Sequence, residues 1–161
     1  MRLLLLASSL AIAFAAGSVG AQTPTQPVQA TQVSPAANEA ANVVNAFMAA
    51  LAGNRLEVAR QLMTPDAVVI ANGQVIGTRD AYIDGAAKGD AAGLAQVQRE
   101  LLRRDATANG NLGVVLSEKR ITPTGARPGG PAEIVTETML LSRVGAGWKI
   151  AHIHWSNRHA R

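Results

Sequence analysis

The first part of the chain carries apolar residues at helical spacing. Over residues 36–51 these residues recur three or four positions apart, which predicts an amphipathic helix that stops at Gly53. The apolar positions of this helix are Ala40, Val44, Phe47 and Leu51. Their side chains are expected to fill much of the core, because the chain contains few aromatic residues.

Two shorter helices are predicted after Gly53. Asn54 followed by Glu57 resembles a capping box, and the helix that it opens is expected to end at residues 64–66, Thr-Pro-Asp. Thr78 can cap a third helix, which is expected to stop around Gly89.

Strands are predicted in two places, between the second and third helices and after Gly93. The segment AVVIANGQVIG has two apolar runs around Asn72-Gly73, the strongest short signal for a hairpin. After Gly93 about four long strands follow, separated by the turn NGNL and the loop PTGARPGGP. The last two strands, AEIVTETMLLSRV and GWKIAHIHWS, are predicted to form a hairpin around Gly145-Ala146. Helices set apart from a run of antiparallel strands indicate an α+β fold.

The N-terminal segment has the three parts of a secretory signal peptide. Arg2 precedes an apolar run and then small residues, so residues 1–21 are expected to be removed by cleavage after Ala21. The run of about 14 apolar residues is shorter than the ~20 that cross a bilayer. Residues 22–35 are uncharged and rich in Gln, Thr and Pro, which predicts a flexible linker.

One domain over residues 36–158 and a tail over residues 159–161 follow the linker. We expect the mature protein to be exported, periplasmic or secreted, with no stable membrane association after the signal is cleaved. The chain contains no cysteine, so it has no disulfide and no site for lipid attachment at the export signal.

The charge pattern argues against nucleic acid as a partner. The net charge is +4, but the basic residues are scattered and no aromatic residues are interleaved with them. Arg99 and Arg103 lie on one predicted strand, share a face of it, and are expected to face solvent.

All three histidines and both tryptophans lie between Gly147 and Arg161. Residues two apart on a strand share a face. One face is therefore predicted to carry Trp148, Ile150, His152 and His154, and the other Lys149, Ala151, Ile153 and Trp155. If the hairpin has no bulge, His154 lies opposite Glu137 and His152 opposite Met139, close enough for imidazole and carboxylate to meet.

Three interpretations of this His–Glu group remain open. His-x-His on a strand can supply two metal ligands, with Glu137 or His159 as a third, but two-residue ligand motifs are unspecific and no metal site is predicted. Glu137 could instead tune His154 for proton transfer. The third interpretation is a buried polar pair whose members satisfy each other's hydrogen bonds. No cofactor is expected.

The order of elements, ending in LSRVGAGWKIAHIHWSNR, resembles the nuclear transport factor 2-like superfamily. The resemblance is strongest to its SnoaL-like branches and to the association (hub) domain of calcium/calmodulin-dependent kinase II. It implies a curved antiparallel sheet wrapped around about three N-terminal helices, a cone-shaped pocket, and a homodimer packed through the sheets. It does not imply one function, because this fold hosts isomerases, dehydratases, binding proteins and assembly modules.

The resemblance also suggests where a ligand and a partner subunit would lie. Residues expected around a ligand are Tyr82, Met139, His152 and Phe47, and those expected at the dimer interface are Trp155, Ile153 and Ala151. Arginines of kinase hub domains that help to hold carboxylate ligands correspond to Met139 and Trp155 here, so that property is not carried over. The steroid isomerase mechanism is not supported either, because the chain has a single tyrosine and no second assignable acid.

Two functions of different class follow. The first is an exported, non-catalytic binding or assembly module whose cone holds a small, mostly apolar molecule or nothing. The second is a small isomerase- or lyase-type enzyme that uses His154 with Glu137 as an acid–base pair. A cone filled by Val44, Phe47, Leu51 and Met139 favours the module, whereas a deep cavity that exposes both His154 and Glu137 favours the enzyme.

Overall fold

The structure is a computed structural model that describes residues 33–124 and 130–160. The predicted signal peptide lies outside the described residues, as does the predicted linker up to residue 32. Within the described residues, no helix is both long and apolar enough to cross a membrane.

The helices form where apolar periodicity predicted them, with two differences in detail. They are α1 (Pro35–Ala52), α2 (Leu56–Gln61), α3 (Arg79–Asp84) and α4 (Ala87–Leu94). Ser34 caps the start of α1, since its hydroxyl oxygen accepts a hydrogen bond from the amide N–H of Ala37 at 3.2 Å. Gly53 caps its end. The predicted third helix is two helices, separated at Gly85.

The predicted capping box at Asn54 is wrong. Asn54 has a φ of +52° and belongs to the turn that leaves α1, and α2 begins two residues later, at Leu56, without a side-chain cap. Asparagine often adopts a left-handed conformation where the chain turns after a helix. Asparagine is also a common N-cap, so the sequence Asn54-x-x-Glu57 was interpreted as the start of α2 although Asn54 belongs to the turn after α1.

The strands form one six-stranded sheet and confirm the α+β class. They are β1 (Met63–Ala71), β2 (Gln74–Thr78), β3 (Val97–Asn109), β4 (Leu112–Pro123), β5 (Glu133–Val144) and β6 (Gly147–His159), in the order β2-β1-β6-β5-β4-β3. All neighbours are antiparallel except β1 and β6, which are parallel. The predicted hairpin turn is present, with φ of +48° at Asn72 and +81° at Gly73. His159, predicted to lie in a tail, is the last residue of β6 and pairs with Glu133.

One face of the sheet, called the inner face here, packs against the helices. Its residues form rows across β4, β5 and β6, two residues apart along each strand. Starting near the β5–β6 turn, the rows include Val115–Met139–Ile153, then Ser117–Glu137–Trp155, then Lys119–Val135–Asn157. The first row is fully buried and belongs to the closed end of the inner face, and the third row belongs to its open end.

Strand β6 contains a bulge at Ala151 that changes which residues face inward. Ile150 pairs with Leu141, but the next pair is His152 with Leu140, so Ala151 is an extra residue. Because side chains alternate along a strand, one extra residue moves every later side chain to the opposite face. Trp148 and Ile150 face inward before the bulge, and Ile153 and Trp155 face inward after it.

Candidate functional site

The bulge separates the two residues that were predicted to form an acid–base pair. His154 lies opposite Thr138 and is exposed on the outer face, whereas Glu137 lies opposite Trp155 and is 1% exposed on the inner face. The predicted pairing of His154 with Glu137 is therefore wrong, and so is the pairing of His152 with Met139, since His152 lies opposite Leu140.

The same change of face contradicts two of the three residues chosen for a dimer interface, Ile153 and Trp155. Ile153 is fully buried in the core, and Trp155 packs against that core and lines a cavity on the inner face. Ala151 is the bulged residue itself. The outer face near β6 instead presents His152 and His154, beside Val68 and Ile70 of β1.

Glu137 forms a buried polar cluster with Lys119 and Trp155. The Lys119 ammonium donates to Oε1 of Glu137 at 3.0 Å, and the indole Nε1–H of Trp155 donates to Oε2 at 2.9 Å. The Lys119 side chain is 12% exposed, so the ion pair is largely shielded from water. Both carboxylate oxygens have a strong donor, which is the condition for keeping a charge inside a fold.

Tyr82 connects this cluster to helix α4. Its hydroxyl donates to Oδ2 of Asp90 at 2.8 Å, and its ring lies 5.9 Å from the ring of Trp155, tilted by 51°. Burial raises the pKa of Tyr82, and the neighbouring Asp90 carboxylate raises the pKa further because a phenolate there would face a like charge. Tyr82 therefore keeps its proton and acts as a donor to Asp90 at neutral pH.

A cavity of about 380 Å³ opens between α1, α4 and the open end of the sheet. Its apolar wall is made by Met48, Leu51, Ala71, Leu94, Val97, Ile121, Val135 and Trp155, and its polar wall by Asn72, Asp90, Arg99, Lys119, Ser156 and Asn157. This volume lies at the lower end of the range found for small-molecule sites, and a mostly apolar wall with a few polar groups is their usual composition.

Helix α4 leaves room for the cavity with two glycines. Gly89 and Gly93 are one helical turn apart and line the cavity together with Asp90 and Leu94, while Ala87 and Ala91 face the core. A Cβ added at Gly89 or Gly93 would have nothing within 4 Å. Glycine inside a helix costs about 0.5–1 kcal/mol relative to alanine, so these two residues lower the stability of α4 and enlarge the cavity.

The residues predicted to bind a ligand do not line this cavity. Phe47 and Met139 are fully buried in the core, and His152 lies on the outer face. Tyr82 is 1% exposed and lies behind the wall, where it holds Asp90 and packs against Trp155.

Arg99 and Arg103 lie on opposite faces of β3. A bulge at Leu102 shifts the register between Leu101 and Arg103, so Arg99 lines the cavity while Arg103 lies outside it. The expectation that both arginines share one face was wrong for the same reason as in β6.

Across residues 33–124 and 130–160, no three histidine, aspartate or glutamate side chains are arranged to hold a metal ion.

Most residues of the cavity wall were missed by sequence reasoning. Asp90, Lys119 and Asn157 come from three separate elements, and only the register of the sheet brings them together. One signal was available: AKGDAAGL has two glycines four positions apart in a segment that is otherwise suited to a helix. Such spacing places both glycines on one helix face, which indicates a close neighbour or an open space there.

Comparisons with known proteins agree with this fold. The model of one protein family, described as the SnoaL-like domain, matches residues 40–159. A search of curated proteins finds no match.

Several solved structures are similar along most of their length. A proposed ketosteroid isomerase from Shewanella frigidimarina is 24% identical, with a TM-score of 0.68, over 73% of this chain and 94% of its own. A proposed dehydratase of the NTF2-like family from Streptomyces avermitilis is 19% identical, with a TM-score of 0.61, over 77% and 96%. A proposed calcium/calmodulin-dependent protein kinase II association domain from Xanthomonas campestris is 18% identical, with a TM-score of 0.59, over 74% and 86%. At these identities the similarity shows a common fold.

Proposed function

The chain belongs to the SnoaL-like domain family, and from the geometry of its open end we propose that it is an exported module that binds a small, mostly apolar molecule without converting it. The observation that carries the proposal is the cavity of about 380 Å³ beside the glycine face of α4. Gly89 and Gly93 lower the stability of α4 and leave this space open, which supports a function for the cavity.

The closed end of the inner face supports a binding module rather than an enzyme with a deep cleft. Val44, Phe47 and Met139 are fully buried, so the narrow part of the fold is filled with side chains, and Leu51, which is 1% exposed, forms part of the cavity wall. A ligand is therefore held only at the open end, above the row that contains Glu137 and Trp155.

The hydrogen bonds of the carboxylates also favour binding without catalysis. Glu137 is occupied by Lys119 and Trp155, and one oxygen of Asp90 is occupied by Tyr82. A general base must reach a proton of the ligand. His154 and Glu137 lie on opposite faces of the sheet, so an isomerase or lyase that uses this pair is not proposed.

Export and dimerisation complete the proposal. Export rests on the signal-peptide pattern of residues 1–21. A homodimer is proposed through the outer face of the sheet, where Val68 and Leu116 are 36% and 42% exposed and Ile70 and Leu140 are half-buried. A self-complementary apolar patch is what a two-fold interface requires.

Native mass spectrometry of the exported protein tests stoichiometry and ligand together. We expect a dimer that releases a small molecule on denaturation. The variant Gly93→Leu should lose this molecule, because a Cβ at this position has nothing within 4 Å and the rest of the side chain would extend into the space that Gly93 lines. Ala92→Leu is the matched control, since Ala92 is the exposed neighbouring residue on α4 and does not line the cavity.

A fluorescent neutral probe, N-phenyl-1-naphthylamine, provides a second readout if the natural ligand is lost in purification. It should bind saturably to the native protein and to Ala92→Leu, and at least about tenfold more weakly to Gly93→Leu, since occupied volume cannot accept a ring. Equal binding to all three proteins would contradict a ligand site at α4. A monomer at micromolar concentration would contradict the dimer alone.

A further inference from the structure

The hydrogen-bonding groups around the cavity indicate the chemical class of the ligand, and this inference rests on the proposed binding function. We infer that the ligand is a flat apolar ring that carries one anionic acceptor group of the carboxylate type. The ring would lie against Trp155, and the anionic group would lie toward the open end, between Lys119 and Arg99.

The carboxylate oxygens in and beneath the cavity wall are mostly occupied by the protein. Both oxygens of Glu137 accept hydrogen bonds, and Oδ2 of Asp90 accepts the Tyr82 hydroxyl. The side-chain oxygen of Asn72 accepts the amide N–H of Asn157 at 3.2 Å. A cationic ligand group therefore finds one carboxylate oxygen without a protein donor among the described residues, Oδ1 of Asp90.

The donors of the wall are in surplus. Lys119 uses one of its three N–H groups for Glu137, and the side-chain nitrogen of Asn72 has no protein partner among the described residues. Within the same part of the chain, Arg99 forms neither an ion pair nor a side-chain hydrogen bond. Lys119 is half-buried, whereas Asn72 and Arg99 are exposed at the mouth of the cavity. Donors that line a cavity favour a ligand with acceptors, and cationic donors favour an anion most.

Trp155 provides a fixed surface for the ring. Its indole N–H is held by Glu137 on one side, and its ring is held by Tyr82 on another, so its orientation is set before a ligand arrives. Preorganised aromatic side chains bind flat rings with little loss of conformational entropy.

The rows of the sheet place both cations outward from this surface. Lys119 lies one row outward from Trp155 and two strands across, and Arg99, which pairs with Ile121, lies in the next row and three strands across. One row spans about 6.6 Å and one strand about 4.8 Å, so Lys119 is the nearer cation and Arg99 the more distant one, and both line the same cavity as Trp155. The single acidic side chain on the opposite wall, Asp90, already binds Tyr82 and disfavours a second negative charge near α4.

The test compares 2-naphthoate with its neutral isostere 2-naphthamide, using the mature protein and NMR of the indole N–H groups. Trp155 reports on the cavity, and Trp148, which is 5% exposed at the closed end, is an internal control. We expect the carboxylate to bind about tenfold more tightly than the amide, because a hydrogen bond to a charged group is worth roughly that factor or more. Binding should shift the Trp155 signal and leave Trp148 unchanged.

Charge variants identify the residues responsible. Arg99→Gln should reduce the preference for the carboxylate to within about twofold, since the guanidinium is removed without disturbing a protein contact. Arg103→Gln is the matched control on the same strand, outside the cavity, and should keep the full preference. Asp90→Asn should increase carboxylate affinity, because it removes a like charge and keeps an acceptor for Tyr82.

The outcomes separate this inference from the function on which it rests. Equal affinity of naphthoate and naphthamide, with a Trp155 shift for both, would overturn the anionic ligand and leave the binding module standing. An unchanged preference in Arg99→Gln would also overturn it. If neither compound shifts Trp155 at millimolar concentration, the binding function and the ligand class both fail.

Discussion

The closed and open ends of the inner face are built from the same strands and have opposite character. At the closed end Val115, Met139 and Ile153 are fully buried under α1. At the open end the row two residues beyond Glu137 meets the glycine face of α4 and a cavity. Because β4, β5 and β6 continue between these rows without a bulge, the covering helix decides whether a row becomes core or pocket.

The row between the two ends explains how they can coexist. Ser117, Glu137 and Trp155 form this row, and Glu137 and Trp155 are joined by a hydrogen bond. A polar layer that satisfies its own hydrogen bonds can lie on an apolar core without loss of stability, and it offers a rigid floor to a ligand above it.

The sharpest way to test the comparison is to shorten two adjacent side chains of α1. Phe47 is fully buried at the closed end, and Met48 is half-buried at the cavity. Phe47→Ala should lower the free energy of unfolding by about 3–5 kcal/mol, because it leaves a void in close-packed core. Met48→Ala should cost only about 1 kcal/mol, since its side chain already borders empty space. Urea denaturation measures both, and equal losses would contradict the division into two ends.

A second, somewhat smaller effect is expected at the row between the ends. Lys119→Met should destabilise the protein by about 3 kcal/mol, because Glu137 is left buried without its cation. Adding Glu137→Gln to this variant should recover at least half of the loss, since the buried charge is removed and an amide oxygen can still accept the Trp155 indole N–H. If the double variant is no more stable than Lys119→Met, the ion pair does not control this row.

The smallest effect concerns pH and the connection between Trp155 and α4. Burial raises the folded-state pKa of Tyr82, and the Asp90 carboxylate raises it further, whereas the pKa of a tyrosine in the unfolded chain is about 10. The stability that comes from keeping this proton is fully present below about pH 10, and it is lost as the pH rises from there toward the folded-state value. Tyr82→Phe should lose about 1 kcal/mol at neutral pH and show a flatter decline above pH 10.

Absorbance makes this prediction easy to check, because Tyr82 is the only tyrosine of the chain. Tyrosinate should form in the native protein only when alkaline unfolding begins. A tyrosinate signal at about pH 10 in protein that is still folded would show that Tyr82 is not held by Asp90.

Much of the fold could be predicted from the sequence, because local signals agree with the final structure. The apolar spacing of α1, the stop at Gly53 and the turn at Asn72-Gly73 each have a local physical cause. The register of the β5–β6 hairpin was also correct from its turn as far as Ile150, which pairs with Leu141 as expected.

The candidate site could not be predicted in the same way, because it depends on two bulges and on contacts between distant elements. The bulge at Ala151 leaves a trace in the sequence: inward apolar residues fall on even numbers up to Ile150 and on odd numbers from Ile153. A strict alternation assigned His154 and Trp155 to the wrong faces. The cavity itself requires α4 to lie against α1 and β3, and no local pattern fixes that arrangement.

Ala151 sets the phase of the last strand. If Ala151 paired with Leu140 as a regular residue of the ladder, every later residue would change face, so that the histidines would point to the helices and Trp155 to the outside. The segment from His152 to His159 therefore encodes two possible surfaces, one apolar and one imidazole-rich, and the bulge selects between them. Deleting Ala151 would leave His152 directly after Ile150 and keep the same residues on each face, whereas taking Ala151 into the ladder would exchange the lining of the cavity with the outer surface in one step.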